Sequence, residues 1–303
     1  MHPSKLQLAN PPDPNQDRFL RTMAEDNHYD QLVSTSTRIV RADGTTLAVL
    51  LKRAIGKAQG LAMYQAIRNR ISFTDNRPTA SGGTKAPKVT KRGTVDKQTR
   101  SVTNVQSSIM GYFDRNPRFP YCRKTAFAAQ HPQALAACYP ALQQASQLFA
   151  QHAPQQYARQ AAVVQKTHPD FVLPGTVFTT VTLNRNFRTT YHRDAGDFAE
   201  GFGVMSYYRG GRFNGGHLVF PAYRVALQLD SLDLVLFDAH EIHGNTTIVP
   251  LRPDWERITC VHYYRENMIY CGSAEDELEL VKSHDPRKAS RNMKQAARRH
   301  IEC

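Results

Sequence analysis

The chain has 303 residues, a formal net charge of +13 and an isoelectric point near 9.7. This length allows one large domain with a substantial buried core, and we expect a single catalytic domain. No run approaches the roughly 20 apolar residues that cross a bilayer, which argues against a membrane span, while the excess of positive charge favours a polyanionic partner such as nucleic acid.

Residues 1–45 form a polar segment that contains several prolines and lacks the apolar stretch of a signal peptide. The five cysteines of the chain occur at irregular spacing and include no C-x-x-C pair. We therefore expect free thiols in a reducing compartment, and a soluble intracellular protein that is nuclear if its source is eukaryotic.

Residues 46–175 favour a helical support region beside a catalytic sheet. Apolar residues recur at helical spacing over 47–70, and 124–151 is an alanine-rich stretch interrupted by Pro132 and Pro140. Between them we expect a basic loop over 77–105, because residues 77–100 carry seven Lys or Arg against the single Asp96. This loop is either a solvated insertion or an arm that contacts phosphates.

Residues 176–270 predict the catalytic core. Short β-branched and aromatic runs alternate there with glycine-containing turns, at 176–183, 203–208, 216–220, 224–229, 233–237, 245–249 and 257–264. Seven short strands in about 90 residues favour a double-stranded β-helix, or jelly roll, with flanking helices, which is an α+β fold. Residues 271–303 form a basic C-terminal helix or tail.

A candidate metal site lies within this β region. His192 and Asp194 are two residues apart, so in an extended segment both side chains project to the same face and reach one ion. His243 supplies a third ligand, and two histidines with one carboxylate leave positions open, as in non-haem iron oxygenases. His240 is the competing histidine, but Gly244 after His243 lets the backbone come close to a ligand.

Arg257 is the candidate anchor for a co-substrate carboxylate. It begins a predicted strand 14 residues after His243, and its guanidinium can hold a carboxylate with two hydrogen bonds. Thr259 follows two residues later on the same face and can add a further hydrogen bond. The alternatives are a surface salt bridge for Arg257, or Arg252 as the anchor.

These residues resemble the TET and J-binding-protein dioxygenases, which oxidise the 5-methyl group of pyrimidines in nucleic acid. The resemblance spans residues 184–265 and rests on the motifs Asn184-x-Asn186-Phe-Arg188-Thr-x-x-His192-x-Asp194-Ala-Gly-Asp197, Gly210-Gly211-x-Phe-x-Gly-Gly216-His217-Leu, Phe237-Asp238-x-His-x-x-His243-Gly-Asn-Thr246 and Arg257-x-Thr-x-x-x-Tyr-Tyr-Arg265. It implies that the His-x-Asp pair and His243 bind Fe(II), and that 2-oxoglutarate and O2 are co-substrates.

The resemblance also implies roles for the remaining motif residues. Arg188 would bind 2-oxoglutarate together with the pair Arg257 and Thr259. Four residues would contact the target base: Asp197 and Asn186 as polar groups, Tyr263 as a stacking ring, and Arg265 as a polar group. The TET enzymes that act on 5-methylcytosine have histidine at the position of Arg265.

We therefore expect a monomeric dioxygenase that flips the base out of the helix and converts 5-methylcytosine in DNA to 5-hydroxymethylcytosine, with further oxidation left open. Thymine is the alternative base. The competing hypotheses are a 2-oxoglutarate oxygenase that acts on RNA, protein or a small molecule, and an inactive DNA-binding scaffold of the same fold.

Overall fold

The structure, a computed structural model, describes residues 2–75, 77, 80–81, 88–89, 95–96 and 104–283. Within these ranges the chain forms five helices and eighteen strands. The helices are α1 (Lys57–Ile67), α2 (Ala126–Gln130), α3 (Pro132–His152), α4 (Pro154–Val164) and α5 (Ala274–Ser283). The strands are β1 (Ser4–Gln7), β2 (Gln31–Val33), β3 (Thr37–Val40), β4 (Thr46–Leu51), β5 (Phe73–Thr74), β6 (Lys88–Val89), β7 (Val95–Asp96), β8 (Val105–Phe113), β9 (Arg123–Lys124), β10 (Thr180–Arg185), β11 (Gly203–Gly210), β12 (Phe213–Gly215), β13 (Leu218–Phe220), β14 (Val225–Leu227), β15 (Leu234–Phe237), β16 (Gly244–Asn245), β17 (Ile248–Pro250) and β18 (Glu256–Tyr263).

Two sheets face each other and form the predicted jelly roll. The major sheet has the order β1-β3-β4-β15-β11-β18-β10-β8-β5, with β9 paired to β8, and the minor sheet has the order β16-β13-β14-β2. Apolar side chains from both sheets meet in one buried cluster, in which Leu50 and Val235 of the major sheet join Phe220 and Leu227 of the minor sheet. The α+β fold with a jelly-roll core is confirmed.

The opposite face of the major sheet is covered by helices. Val49 of β4 and Leu236 of β15 pack there with Met63 of α1 and Phe149 of α3. Both faces of the sheet are therefore buried, so its central strands are apolar on both sides.

This double burial explains where the helix prediction over 47–70 is wrong. Residues 46–51 form β4, which pairs with β3 and β15, and α1 begins only at Lys57. A continuous apolar run satisfies helical spacing and a strand buried on both faces equally well. The second helical expectation is confirmed, since α2 and α3 occupy most of 124–151 and α3 continues through Pro140.

The segments before residue 176 contribute strands as well as helices. Residues 1–45 include β1, β2 and β3, and β8 pairs with β10 inside the major sheet. The expected polar N-terminal segment is thus part of both sheets. Most of the basic loop, and residues 284–303 of the expected basic C-terminal segment, lie outside the described residues. The described part of that segment forms α5 (Ala274–Ser283), whose first turn is acidic and not basic.

The expectation of free thiols is wrong for one pair of cysteines. A disulfide joins Cys122 to Cys271 across a sequence separation of 149 residues, with their Cα atoms 5.8 Å apart, whereas Cys138 and Cys260 are free and buried. Spacing along the chain cannot reveal a pairing that only the fold brings together.

The carboxylate of Glu277, at the start of α5, holds the same region together. It accepts hydrogen bonds from the side chain of Arg115 and from the backbone N–H groups of Cys122 and Gly272. Burial raises the pKa of Glu277, but these three donors outweigh burial and the pKa lies below its usual value.

None of the helices in the described part of the chain is long and apolar enough to cross a membrane.

Candidate functional site

Two histidines and an aspartate meet where the backbones of two loops pair. His192 follows β10 and His243 precedes β16, and each backbone N–H donates to the other residue's carbonyl at 3.0 Å. The backbone N–H of Asp194 donates to the carbonyl of Ala239 at 3.0 Å. As a result, one potential ligand atom from each of the three predicted residues lies within 4.8 Å of the other two.

Hydrogen bonds to backbone carbonyl groups orient both imidazole rings and leave one nitrogen of each ring free to bind a metal. Nδ1 of His192 lies 2.8 Å from the carbonyl oxygen of Thr190, and Nδ1 of His243 lies 2.9 Å from that of Glu241. Since a carbonyl only accepts, each Nδ1 carries the hydrogen, and each Nε2 keeps a lone pair directed to the same point.

The protonation states of His243 and Asp194 also favour metal binding. Burial lowers the pKa of His243 to about 4, so its ring is neutral at pH 7. Burial raises the pKa of Asp194, but the neighbouring imidazoles of His192 and His243 outweigh it and hold the pKa at about 2. A neutral imidazole and an ionised carboxylate are the forms that bind a metal, so the donor set fits an iron(II) ion.

Gly244 allows a close approach, but to Tyr191 and not to a ligand as sequence analysis expected. A Cβ at this position would lie 2.9 Å from the ring of Tyr191 and 3.0 Å from its backbone nitrogen. The N-terminal segment also contacts Tyr191. The backbone N–H of Arg21 donates to the carbonyl of Tyr191, and the N–H of Tyr191 donates to the carbonyl of Thr22. His240 lies outside the cluster of ligand atoms, with Nδ1 3.5 Å from Asp238.

Arg257 occupies the position expected of a carboxylate anchor, behind the wall of the site. Its side chain is 1% exposed, Nη1 donates to the carbonyl of Phe187 at 3.2 Å, and Nε has no hydrogen-bond partner. Its guanidinium lies over the ring of Tyr207, 5.3 Å from the ring centre. Thr259, two residues along β18, lines the same cavity as the metal ligands. An unpaired buried donor on a cation calls for an acceptor, and a carboxylate supplies one.

Glycine leaves room for this arginine. Gly216 has a φ of +71°, and a Cβ there would lie 3.3 Å from Nε of Arg257. The position therefore favours glycine on both conformational and steric grounds.

Two predicted site residues point elsewhere. Arg188 donates to the carbonyl of Ala24 and pairs with Glu25 at 3.0 Å. The side-chain oxygen of Asn186 accepts from the backbone N–H of Arg257 at 2.8 Å. Neither residue lines the cavity. The structure places Arg188 as a link to the N-terminal segment and Asn186 as a support for β18.

Three of the four residues expected to contact a base, Asp197, Tyr263 and Arg265, are brought together in the cavity lining. Thr259, Val261, Tyr263 and Arg265 all line the cavity, as the alternation of side chains along β18 predicts. Asp197 faces Arg265 across an isolated backbone bridge. Burial, followed by the charge of Asp194, raises the pKa of Asp197 well above its usual value despite the opposing effect of Arg265.

Sequence analysis missed Arg77, which lines the cavity, and Asp114, which supports Arg265 from outside the lining. Asp114, which is 4% exposed, accepts a hydrogen bond from Nε of Arg265 at 2.8 Å and so fixes its guanidinium. Arg77 enters the cavity from the first residue of the basic stretch and donates to Ser107 and Thr182, each at 3.2 Å. The only sequence signal for Arg77 was the change in composition that begins at this residue. That change indicates a loop, but it does not show that the side chain lies in the cavity.

One cavity of about 320 Å³ is lined by the three candidate metal ligands together with Phe187, Thr259, Tyr263, Asp197, Arg265 and Arg77. Arg257 and Asp114 lie outside this lining. A jelly roll with an open two-histidine, one-carboxylate site defines the class of the protein as a non-haem iron oxygenase.

Comparison with known proteins gives the family. The family model described as the oxygenase domain of the 2OGFeDO superfamily, Tet_JBP, matches residues 108–266, and the chain belongs to this family. It is therefore a 2-oxoglutarate-dependent dioxygenase that uses Fe(II), 2-oxoglutarate and O2.

Relatives and solved structures agree with this assignment. The chain is 36% identical over 179 residues to the bifunctional helicase and thymine dioxygenase JBP2 of Leishmania tarentolae (57% of this chain, 16% of that protein), and 36% identical over 164 residues to the thymine dioxygenase JBP1 of Leishmania braziliensis (52% of this chain, 20% of that protein). It thus spans a fifth or less of the length of these relatives. The structure of NgTET1 in complex with 5mC DNA has the same fold, with a TM-score of 0.59, 12% identity, and coverage of 94% of this chain and 92% of that one.

Proposed function

We propose that this protein oxidises the 5-methyl group of a pyrimidine base in DNA, and that the base is thymine. The observation that carries the proposal is the shared cavity, which is lined both by the three candidate metal ligands and by the polar and aromatic side chains of Thr259, Tyr263, Asp197 and Arg265. The bound iron and 2-oxoglutarate supply the oxidising chemistry. The chain supplies the position of the methyl group relative to the metal.

Each group of residues has a separate task. His192, Asp194 and His243 would hold the iron. Arg257 and Thr259 hold the distal carboxylate of 2-oxoglutarate. The remaining polar residues of the lining bind the base, with Tyr263 against its ring.

Burial of the metal ligands supports base flipping. His243 is 5% exposed and lies at the inner end of the cavity. A methyl group inside a duplex cannot approach an atom at this depth, so the nucleotide has to leave the stack. The net charge of +13 supports DNA as the partner, because Lys and Arg bind phosphates without reading sequence. We propose that the protein acts as a monomer.

The choice of thymine rests on the relatives and on Arg265. The Leishmania relatives are named thymine dioxygenases, whereas the structure in complex with 5mC DNA is only 12% identical and indicates the fold alone. Arginine can only donate hydrogen bonds. The O4 atom of thymine accepts them, and the amine at the same position of cytosine does not.

5-Methylcytosine, our expectation from the sequence, is the second candidate. The observation that favours it is Asp197, because an ionised carboxylate accepts from the exocyclic amine of cytosine.

One experiment separates the two bases. Iron-loaded protein is incubated with 2-oxoglutarate and matched duplexes in which a single position holds thymine or 5-methylcytosine, and the digested nucleosides are identified by mass spectrometry. We expect 5-hydroxymethyluracil from the thymine duplex and none from a matched reaction with the His243→Ala variant. Product from 5-methylcytosine alone would replace thymine by 5-methylcytosine, and no product from either duplex would overturn the proposed function.

A further inference from the structure

Arg77 is a cation in the wall of the catalytic cavity, and it comes from a part of the chain that precedes the family match. Its guanidinium reaches β8 and β10, where Nε donates to Ser107 and Nη2 donates to Thr182. The backbone helps to fix the segment, because Ser81 N–H donates to the carbonyl of Arg77 at 2.9 Å and Thr190 N–H donates to that of Ala80 at 2.8 Å.

The neighbours of Arg77 lie on the side of the cavity proposed to bind the base. The hydroxyl of Thr182 that accepts from Arg77 is also 3.3 Å from the hydroxyl of Tyr263. The charge of Arg77 acts on Asp197 and on Tyr263, and also on the metal-site residues His192 and Asp194. Arg257, by contrast, is anchored behind Phe187 at the 2-oxoglutarate side.

The contacts of Arg77 hold the guanidinium without neutralising it. Both described acceptors are neutral hydroxyls, and no carboxylate of the described residues lies within ion-pair distance of Arg77. A guanidinium has five N–H donors, so donors remain for a ligand in the cavity. A strong acceptor is the group that such a cation selects.

The chemistry of thymine matches this wall. The edge of thymine presents two carbonyl oxygens on either side of one N–H, so it needs two donors and one acceptor. Arg265 and Arg77 are the two donors on this wall, and Asp197 is an acceptor when ionised. Cytosine presents an amine in place of one of these carbonyls and leaves one arginine without an acceptor.

We propose that Arg77 is a specificity-determining residue that donates a hydrogen bond to one carbonyl oxygen of the target thymine, while Arg265 serves the other. This inference rests on the proposed function and adds to it a residue outside the matched family region.

The test combines thymine analogues, in which one carbonyl oxygen is replaced by sulfur, with a protein variant that lacks the arginine. Initial rates give kcat/KM for duplexes in which the target is thymine, 2-thiothymine or 4-thiothymine, for the wild type and for Arg77→Met. Sulfur accepts hydrogen bonds weakly, so the wild type should lose rate at the oxygen that Arg77 contacts. Arg77→Met should lower kcat/KM for thymine about 5- to 100-fold and abolish the penalty for that one thio-analogue.

Controls separate contact with the base from support of the fold. Arg159→Met removes an exposed arginine of α4, which lies 3.6 Å from Glu200, and should keep both penalties. A purely structural role of Arg77 would lower the rates on all three bases equally and leave both penalties intact, which would overturn the proposal. If the wild type oxidises neither thymine nor 5-methylcytosine, the proposed function fails and this inference fails with it.

Discussion

Replacement of Arg257 by methionine separates co-substrate binding from folding stability. The guanidinium is 1% exposed, its Nε has no partner, and no carboxylate of the described residues pairs with it. If it holds the distal carboxylate of 2-oxoglutarate, the substitution removes at least one charge-assisted hydrogen bond. Such a bond contributes about 1.5–3 kcal/mol, so the affinity for 2-oxoglutarate should fall about 10- to 150-fold.

Stability should change in the opposite sense. A buried charge without a counter-ion destabilises a fold, and an apolar side chain of similar length removes that cost. In the absence of 2-oxoglutarate, the melting temperature of Arg257→Met should therefore equal or exceed that of the wild type. Addition of 2-oxoglutarate should raise the melting temperature of the wild type far more than that of the variant.

Titration calorimetry with Mn(II)-loaded protein measures the affinity, and scanning calorimetry measures the melting temperature. Arg188→Met is the matched comparison, because sequence analysis assigned Arg188 to 2-oxoglutarate whereas the structure pairs it with Glu25. We expect this variant to keep its affinity and to lose stability. An Arg257→Met protein with unchanged affinity, or an Arg188→Met protein with greatly reduced affinity, would refute the assignment of the anchor.

Three further predictions concern the metal site and the region around the disulfide. His243→Ala should abolish the binding of one metal ion per chain, measured by elemental analysis after dialysis, whereas His240→Ala should retain it; the reverse result would exchange the two histidines. Because the folded pKa of Glu277 lies below its usual value of 4.5, its carboxylate stabilises the fold above that pH, and this contribution is lost as the pH falls through the folded pKa. Glu277→Gln should therefore lower the melting temperature at pH 7, and its effect should shrink as the pH falls below 4.5; an effect that does not change with pH would contradict the assignment. Reduction of the Cys122–Cys271 disulfide should lower the free energy of unfolding by about 2–5 kcal/mol in urea titrations, and a Cys122→Ser variant should no longer respond to reductant.

The strands and the clustering of the three candidate metal ligands were predictable because they depend largely on local patterns. Alternation along β18 placed Thr259 and Tyr263 on one face, and the spacing of His192 and Asp194 placed both side chains towards one point. These relations hold for any extended segment, so they require no knowledge of the neighbouring strands.

Features that depend on distant segments were not predictable. Arg77 reaches the cavity across β8 and β10, and Asp114 meets Arg265 from 151 residues away. Arg188 lies within the matched motif, but its partner Glu25 is 163 residues away in the N-terminal segment. Local pattern gives the face on which a side chain lies, while the tertiary fold decides what it meets there.

The N-terminal strands have a consequence for the exchange of segments between related proteins. The family match begins at residue 108, yet β4 pairs with β15 and β2 pairs with β14, and both of these N-terminal strands precede the match. A fragment cut at the family boundary would expose the backbone edges of β14 and β15, and such apolar edges recruit strands from other chains. The folding unit of this oxygenase therefore extends beyond residues 108–266, the region that matches the family. A functional chimera has to carry the first 51 residues together with the core.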